Sequence, residues 1–170
     1  MTGRDDEELL LDLLNTTPVV DGAPTDRLAD AEAGRSWLAA HGVTGTQGEW
    51  RTVRAARDTL QDVVRGASPA SALAPFVSGV RRHASFADGA VTWELHTPPD
   101  GDAAARAVLA WDRLRAERPG RLRPCANPDC RLFLIDRSKP NTARWCSMAS
   151  CGNRMKARRH YRRTRDLGSE

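Results

Sequence analysis

Apolar residues in this chain recur mostly at helical spacing. Leu10, Leu13 and Leu14 predict a helix over residues 6–14, broken by Asn15-Thr16-Thr17-Pro18. Trp37 and Leu38 point inward from a second predicted helix, residues 30–41, with His41-Gly42 as its stop. Thr46 and Glu49 have the spacing of a capping box, in which a hydroxyl and a carboxylate each satisfy a backbone amide at a helix start. Behind them Val53, Ala56, Leu60, Val63 and Val64 form one apolar stripe that ends at Gly66. Ser68-Pro69 opens a short helix that ends near Gly79, since proline suits the first helical position. Over residues 81–96 the pattern changes. Asp88-Gly89, a turn dipeptide, separates Ala84-Ser85-Phe86 from the run Val91 to Leu95 and predicts a β-hairpin. The helical period returns over 102–117 with Ala105, Val108, Leu109, Trp111 and Leu114, and Arg118-Pro119-Gly120 stops it. The tryptophans and leucines of these elements read as core.

Beyond residue 120 the apolar runs shorten. Leu132-Phe133-Leu134-Ile135 reads as a strand, residues 136–141 as a turn, and Thr142 to Trp145 as a returning strand. A helix then starts around Cys146 and Cys151 and runs to about Arg165. All four cysteines of the chain lie in this part, as Cys125-x4-Cys130 and Cys146-x4-Cys151. Thiolates are natural zinc ligands, and four close a tetrahedral structural shell. Two disulfides, free thiols or an iron–sulfur cluster are the alternatives for the same residues. His160, nine residues after Cys151, reads as a surface residue or phosphate contact. The expected fold class is therefore α+β and mainly helical. A helical N-terminal domain with one β-hairpin (1–120) precedes a treble-clef-like zinc finger ending in a basic helix (121–170).

Charge sharpens that division. Residues 1–120 carry 13 Lys and Arg against 18 Asp and Glu, a net of −5, whereas residues 121–170 carry 13 against 4, a net of +9. An acidic body with a basic tail points to a polyanionic partner. No apolar run reaches the roughly 20 residues needed to span a bilayer, and the acidic N-terminus is unlike a signal peptide. The expectation is a cytoplasmic, nucleoid-associated protein with no membrane contact. Its thiols would be reduced there, which favours metal over disulfides. A module this short needs its metal, worth on the order of 10 kcal/mol in structural sites, so chelation is expected to unfold 121–165 and spare the front helices.

The tail itself is the candidate interface. Arg154, Arg158, Arg162 and Arg165 form one helical stripe, widened by Arg159 and Arg163. With Lys156 they make seven cations in residues 154–165. Such a face suits phosphate neutralisation with counterion release, and arginine also reads guanine in the major groove. Arg144 is counted with them. Only Tyr161 and Trp145 offer aromatic platforms for unpaired bases, which tilts the expectation from RNA toward double-stranded DNA.

Arg144-Trp145-Cys146-Ser147-Met148 and Cys151-Gly152-Asn153-Arg154 resemble the CGNR zinc finger, as do Cys125-Ala126-Asn127-Pro128-Asp129-Cys130 and the Phe133 to Ser138 stretch. Leu13-Leu14-Asn15-Thr16 and the Trp37-Leu38 helix are similar to the ABATE domain that accompanies it. Members of this family are regarded as bacterial stress-responsive transcription regulators. The resemblance implies one structural zinc on Cys125, Cys130, Cys146 and Cys151. It also implies a DNA-binding finger and a front domain that senses a small-molecule effector or pairs two copies as a homodimer. Asn15 and the space beneath the helices are the candidate effector contacts, although Asn15 reads equally as a helix cap. The alternative is a zinc-stabilised RNA-binding or protein-interaction adaptor. An enzyme is not expected: four cysteines leave zinc no open position, and no phosphate loop, nucleophile elbow or HExxH is present.

Overall fold

Four leucines on one side of the first helix begin the core. The structure is a computed structural model describing residues 3–167, with the side chains at 3, 4, 160 and 162–167 outside the described set. Helix α1 (Gly3–Leu14) buries Leu9, Leu10, Leu13 and Leu14 completely. Each such burial stabilises by about 1.5–3 kcal/mol before chain entropy is counted. Helix α4 (Asp102–Glu117) lies against α1, and its alanines at 103 and 107 let the two backbones approach. Helix α2 (Ala31–Ala40) contributes Leu38, and α3 (Gln47–Arg65) contributes Val53, Ala56 and Leu60. Gly34 of α2 faces Trp50 of α3 so closely that a Cβ there would lie 2.1 Å from the indole Cδ1, so only glycine admits this crossing.

The chain is α+β and mainly helical, as its periodicity predicts. The segment Ala70–Val77 is a 3-10 helix containing Pro75. Strands β3 (Arg81–Ala87) and β4 (Ala90–His96) pair antiparallel around Asp88 and Gly89, whose φ values of 52° and 78° give the mirror-image turn suited to a tight hairpin. A second small hairpin, β1 (Val19–Val20) with β2 (Ala23–Pro24), was too short to show as alternation.

Three expectations change. Trp93, read as core with the other tryptophans, is exposed, because its hairpin face meets no other helix or strand extensively among the described residues. Thr46 caps α3 by accepting from the Glu49 amide at 3.0 Å, but Glu49 does not reach back to complete a capping box. Its buried carboxylate accepts instead from the amides of Asp102 (3.2 Å) and Ala103 (2.7 Å), capping α4. Burial raises its pKa despite those two bonds. The predicted strand at 142–145 is also absent. The partner of β6 (Phe133–Ile135) is β5 (Leu122–Pro124), from before the first cysteine, in the register Leu122↔Ile135 and Pro124↔Phe133. Residues 142–145 bond elsewhere: the Ala143 amide to the Asp136 carboxylate (2.7 Å), and the Arg144 carbonyl to the Ala126 amide (2.8 Å).

The β5–β6 pair rests on the helices. Phe133 is 1 % exposed and belongs to the same core as the α1 leucines. The Arg65 guanidinium stacks 4.5 Å above its ring. Asn15, just past α1, extends the ladder with its side chain. Its Oδ1 accepts from the Phe133 amide (2.7 Å) and its Nδ2 donates to the Phe133 carbonyl (3.3 Å).

Candidate metal centre and basic helix

Cys125 directly follows β5, and its amide bonds to the Leu132 carbonyl at 2.8 Å, closing a turn that carries Cys130. Inside that turn Asn127 is buried. Its Oδ1 accepts from the Asp129 amide (3.3 Å), and its Nδ2 donates to the Cys151 sulfur (3.3 Å). The loop after β6 is bracketed by Asp136. Its carboxylate accepts from the Ser138 amide (2.8 Å), the Ser138 hydroxyl (2.6 Å), the Ala143 amide and Arg123 (2.7 Å). Those bonds, Ser138 foremost, hold its pKa down at about 2. The bracket returns the chain so that Cys146 faces Cys130.

A one-turn π segment, Met148–Gly152, then presents Cys151. A Cβ at Gly152 would meet the Met148 sulfur at 2.7 Å and the Trp145 ring at 3.3 Å, so the missing side chain permits a tight turn. Asn153, the first residue of α5 (Asn153–Leu167), braces the same turn through Nδ2 to the Ala149 carbonyl at 3.5 Å.

The four sulfurs lie within 4.8 Å of one another, and Cys146 is 3.7 Å from both Cys130 and Cys151. A zinc tetrahedron with Zn–S of about 2.3 Å has S···S edges of about 3.8 Å, so the donors fit that ion. A disulfide would need about 2.05 Å. Burial pushes the Cys130 thiol up to about 11 and raises Cys146 as well. At Cys151 burial is outweighed by hydrogen bonds from Asn127 and the other thiols, and the pKa falls. Amide donors reach further sulfurs, Leu132 to Cys130 (3.5 Å) and Cys146 to Cys125 (3.4 Å), the kind of outer support that orients metal ligands. The site can hold one structural zinc ion.

Helix α5 leaves this centre directly. Arg154, Lys156, Arg158 and Arg159 are exposed on it, and Arg154 also lines a cleft of about 590 Å³ with Cys130, Cys146, Cys151 and the β1–β2 turn. Arg158 is paired with Asp129 at 2.5 Å, which ties the helix to the first cysteine turn. Arg144 lies over the Trp145 ring at 5.3 Å, off the helix. The side chains of Arg162, Arg163 and Arg165 lie outside the described residues. Asn15, expected as an effector contact, has both its side-chain polar atoms engaged by Phe133.

Sequence reasoning missed the roles of Asn127 and Asp136 and gave Glu49 to the wrong helix. The first two sit two residues before an amide they accept from, the spacing of an Asx turn, and that signal was available. Glu49 carried no such signal, because its partner lies 53 residues away.

A larger cleft of about 710 Å³ opens between α1, the end of α4 and the loop after β6. Arg113, Arg118, Arg121, Arg137 and Lys139 line it with Glu7, Glu117 and Asp136. Glu7 pairs with Arg113 and Arg118, and Asp136 pairs with Arg123. No helix of the described residues is long and apolar enough to cross a membrane.

Two family models match. Residues 7–128 match the ABATE model, described as "Putative stress-induced transcription regulator", and residues 121–164 match the CGNR zinc finger. The two matches overlap across β5 and the first cysteine. Neither description is enzymatic. No curated protein sequence matches the chain.

Proposed function

Because the chain belongs to the ABATE family and ends in a CGNR zinc finger, we propose that it regulates transcription by binding double-stranded DNA through α5. Zinc acts structurally in this reading. It fixes the turn from which the helix departs, and the cations of α5 meet the phosphates. Residues 1–120 form the regulatory half and 121–170 the DNA-binding half of a cytoplasmic, nucleoid-associated protein. The observation that carries the reading is the geometry of α5: its described cations Arg154, Lys156, Arg158 and Arg159 are exposed, and the helix is anchored at its base by the cysteine centre and the Arg158–Asp129 pair. Arg154, Lys156, Arg159, Arg162, Arg163 and Arg165 are the proposed phosphate and base contacts. Arg144 contributes from the side, and Arg158 acts first as the anchor.

Replacing Arg154, Arg159 and Arg162 by alanine is expected to weaken duplex binding at least tenfold at moderate salt. The slope of log K against log salt should drop by about 2–3, since each lost phosphate contact removes about 0.9. Titrations of the zinc-loaded protein with duplex DNA and with RNA of equal length check this. Absence of duplex binding at low salt would sink the regulator reading. Preference for RNA would favour the adaptor.

The regulatory half is proposed to bind an effector, to pair two copies, or both. With Asn15 engaged, the 710 Å³ cleft is the better effector site, and its excess of cations suits an anion. Millimolar inorganic phosphate is expected to raise the melting temperature of the wild type and to leave an Arg137→Ala/Lys139→Ala variant unmoved. An equal shift in both proteins would remove the cleft from consideration.

A further inference from the structure

The β3–β4 hairpin separates its residues by face. Register pairs Arg82 with Leu95, Ala84 with Trp93 and Phe86 with Val91, which places these six on one side. Arg81, His83, Ser85, Thr92, Glu94 and His96 occupy the other, where the Ser85 and Thr92 hydroxyls bond at 2.7 Å. The apolar side is uncovered: Phe86 is 76 % exposed, Trp93 66 % and Val91 56 %. Among the described residues no other helix or strand packs extensively on either strand. A lone two-stranded hairpin is marginal in water, and a contiguous aromatic patch on a surface marks a contact.

We propose that this face is a homodimer contact, in which the hairpins of two copies stack apolar side to apolar side and antiparallel about a two-fold axis. The inference deepens, and rests on, the reading that the front half pairs two copies. Charge selects a second copy as the occupant. Arg82 stands at the base of the hairpin and Asp88 at its tip, and neither has an ion-pair partner among the described residues. Six residues of strand separate them by roughly 20 Å. Antiparallel stacking brings Arg82 of each copy to Asp88 of the other, so both pairs form at once, as an isologous contact requires. Area agrees. Phe86, Val91 and Trp93 offer roughly 400 Å² per copy, given that aromatic side chains bury 150–250 Å² each. With Ala84, Leu95, the stem of Arg82 and the backbone, the two copies approach the lower bound of about 1,200 Å² for a stable interface.

Sedimentation equilibrium of the full zinc-loaded chain, without DNA, tests the proposal. The wild type is expected to be a dimer at about 10 µM. Phe86→Ser/Trp93→Ser is expected to raise the dissociation constant at least a hundredfold while zinc content and helicity stay constant. Arg82→Glu and Asp88→Lys each place like charges at both contacts and weaken self-association. Mixed together they restore both pairs, so the mixture must associate more tightly than either variant alone. Hydrogen exchange on the wild type adds a readout free of mutation, with protection over 84–95 that rises with protein concentration. A wild type still monomeric at about 100 µM overturns the proposal. So does a serine variant that remains dimeric, or a mixture no tighter than its components. Duplex affinity enters none of these measurements, so this contact and the DNA reading fail separately.

Discussion

Stripping the metal with a chelator is expected to release α5 and abolish duplex binding while Phe133 stays buried. Structural zinc contributes on the order of 10 kcal/mol of apparent folding free energy, comparable to the whole stability of an ordinary domain. Without it, two buried and two half-buried thiols and the π turn at Met148–Gly152 have little to hold them. The β5–β6 pair stands differently. It is held by the helical core, by Asn15 and by Arg65, and none of these involves the metal. The metal-dependent region therefore begins at Cys125, skips Phe133 to Ile135, and resumes after Asp136, where a reading of the sequence places one break near residue 120. Hydrogen exchange before and after chelation checks this. Protection should vanish over 125–130 and 143–165 and persist over α1, α3, α4 and 133–135. Unchanged protection of α5 in protein verified as metal-free would refute it.

Phe133→Ala is expected to destabilise the zinc-loaded protein by about 3–5 kcal/mol, the range for a buried aromatic truncated in a core. The ring is 1 % exposed, contacts the α1 leucine cluster and carries the Arg65 guanidinium above it. Alanine leaves a cavity at the point where α1, α3 and β6 meet, and the backbone pairing to Asn15 cannot close it. Phe133→Leu, which keeps most of the volume, should cost less than half as much. Urea titration with zinc in excess reads both. A loss below about 1 kcal/mol for the alanine variant would mean that the β5–β6 pair is only loosely seated.

The helices were legible because each carries its own instructions. Leu10, Leu13 and Leu14 mark α1, the Val53-to-Leu60 stripe marks α3, and both are read within a window of a few turns. Asp88-Gly89 is equally local, since only residues tolerant of positive φ fill that turn. The cysteine spacing made the metal centre visible. What remained hidden depends on a distant partner. Leu132 to Ile135 announces a strand but not its neighbour, and the nearer candidate at 142–145 lost to Leu122–Pro124 because Asp136 and Ala126 take its backbone groups. Glu49 looked like half of a local box until α4 was beside it. Asn15 looked like a helix cap or ligand contact, and its role as a surrogate strand appears only once Phe133 is next to it.

The Asn15–Phe133 bonds bear on heredity as well as on folding. A zinc finger that folds by itself can be moved between genes as a cassette. Here the finger's own strand completes another region's interior, so a fragment starting at 121 would present Phe133 to water, and one ending at 120 would lack a wall. Recombination near that junction is expected to give insoluble products from either side. The two regions should therefore travel through evolution as a single gene segment, however separate their tasks.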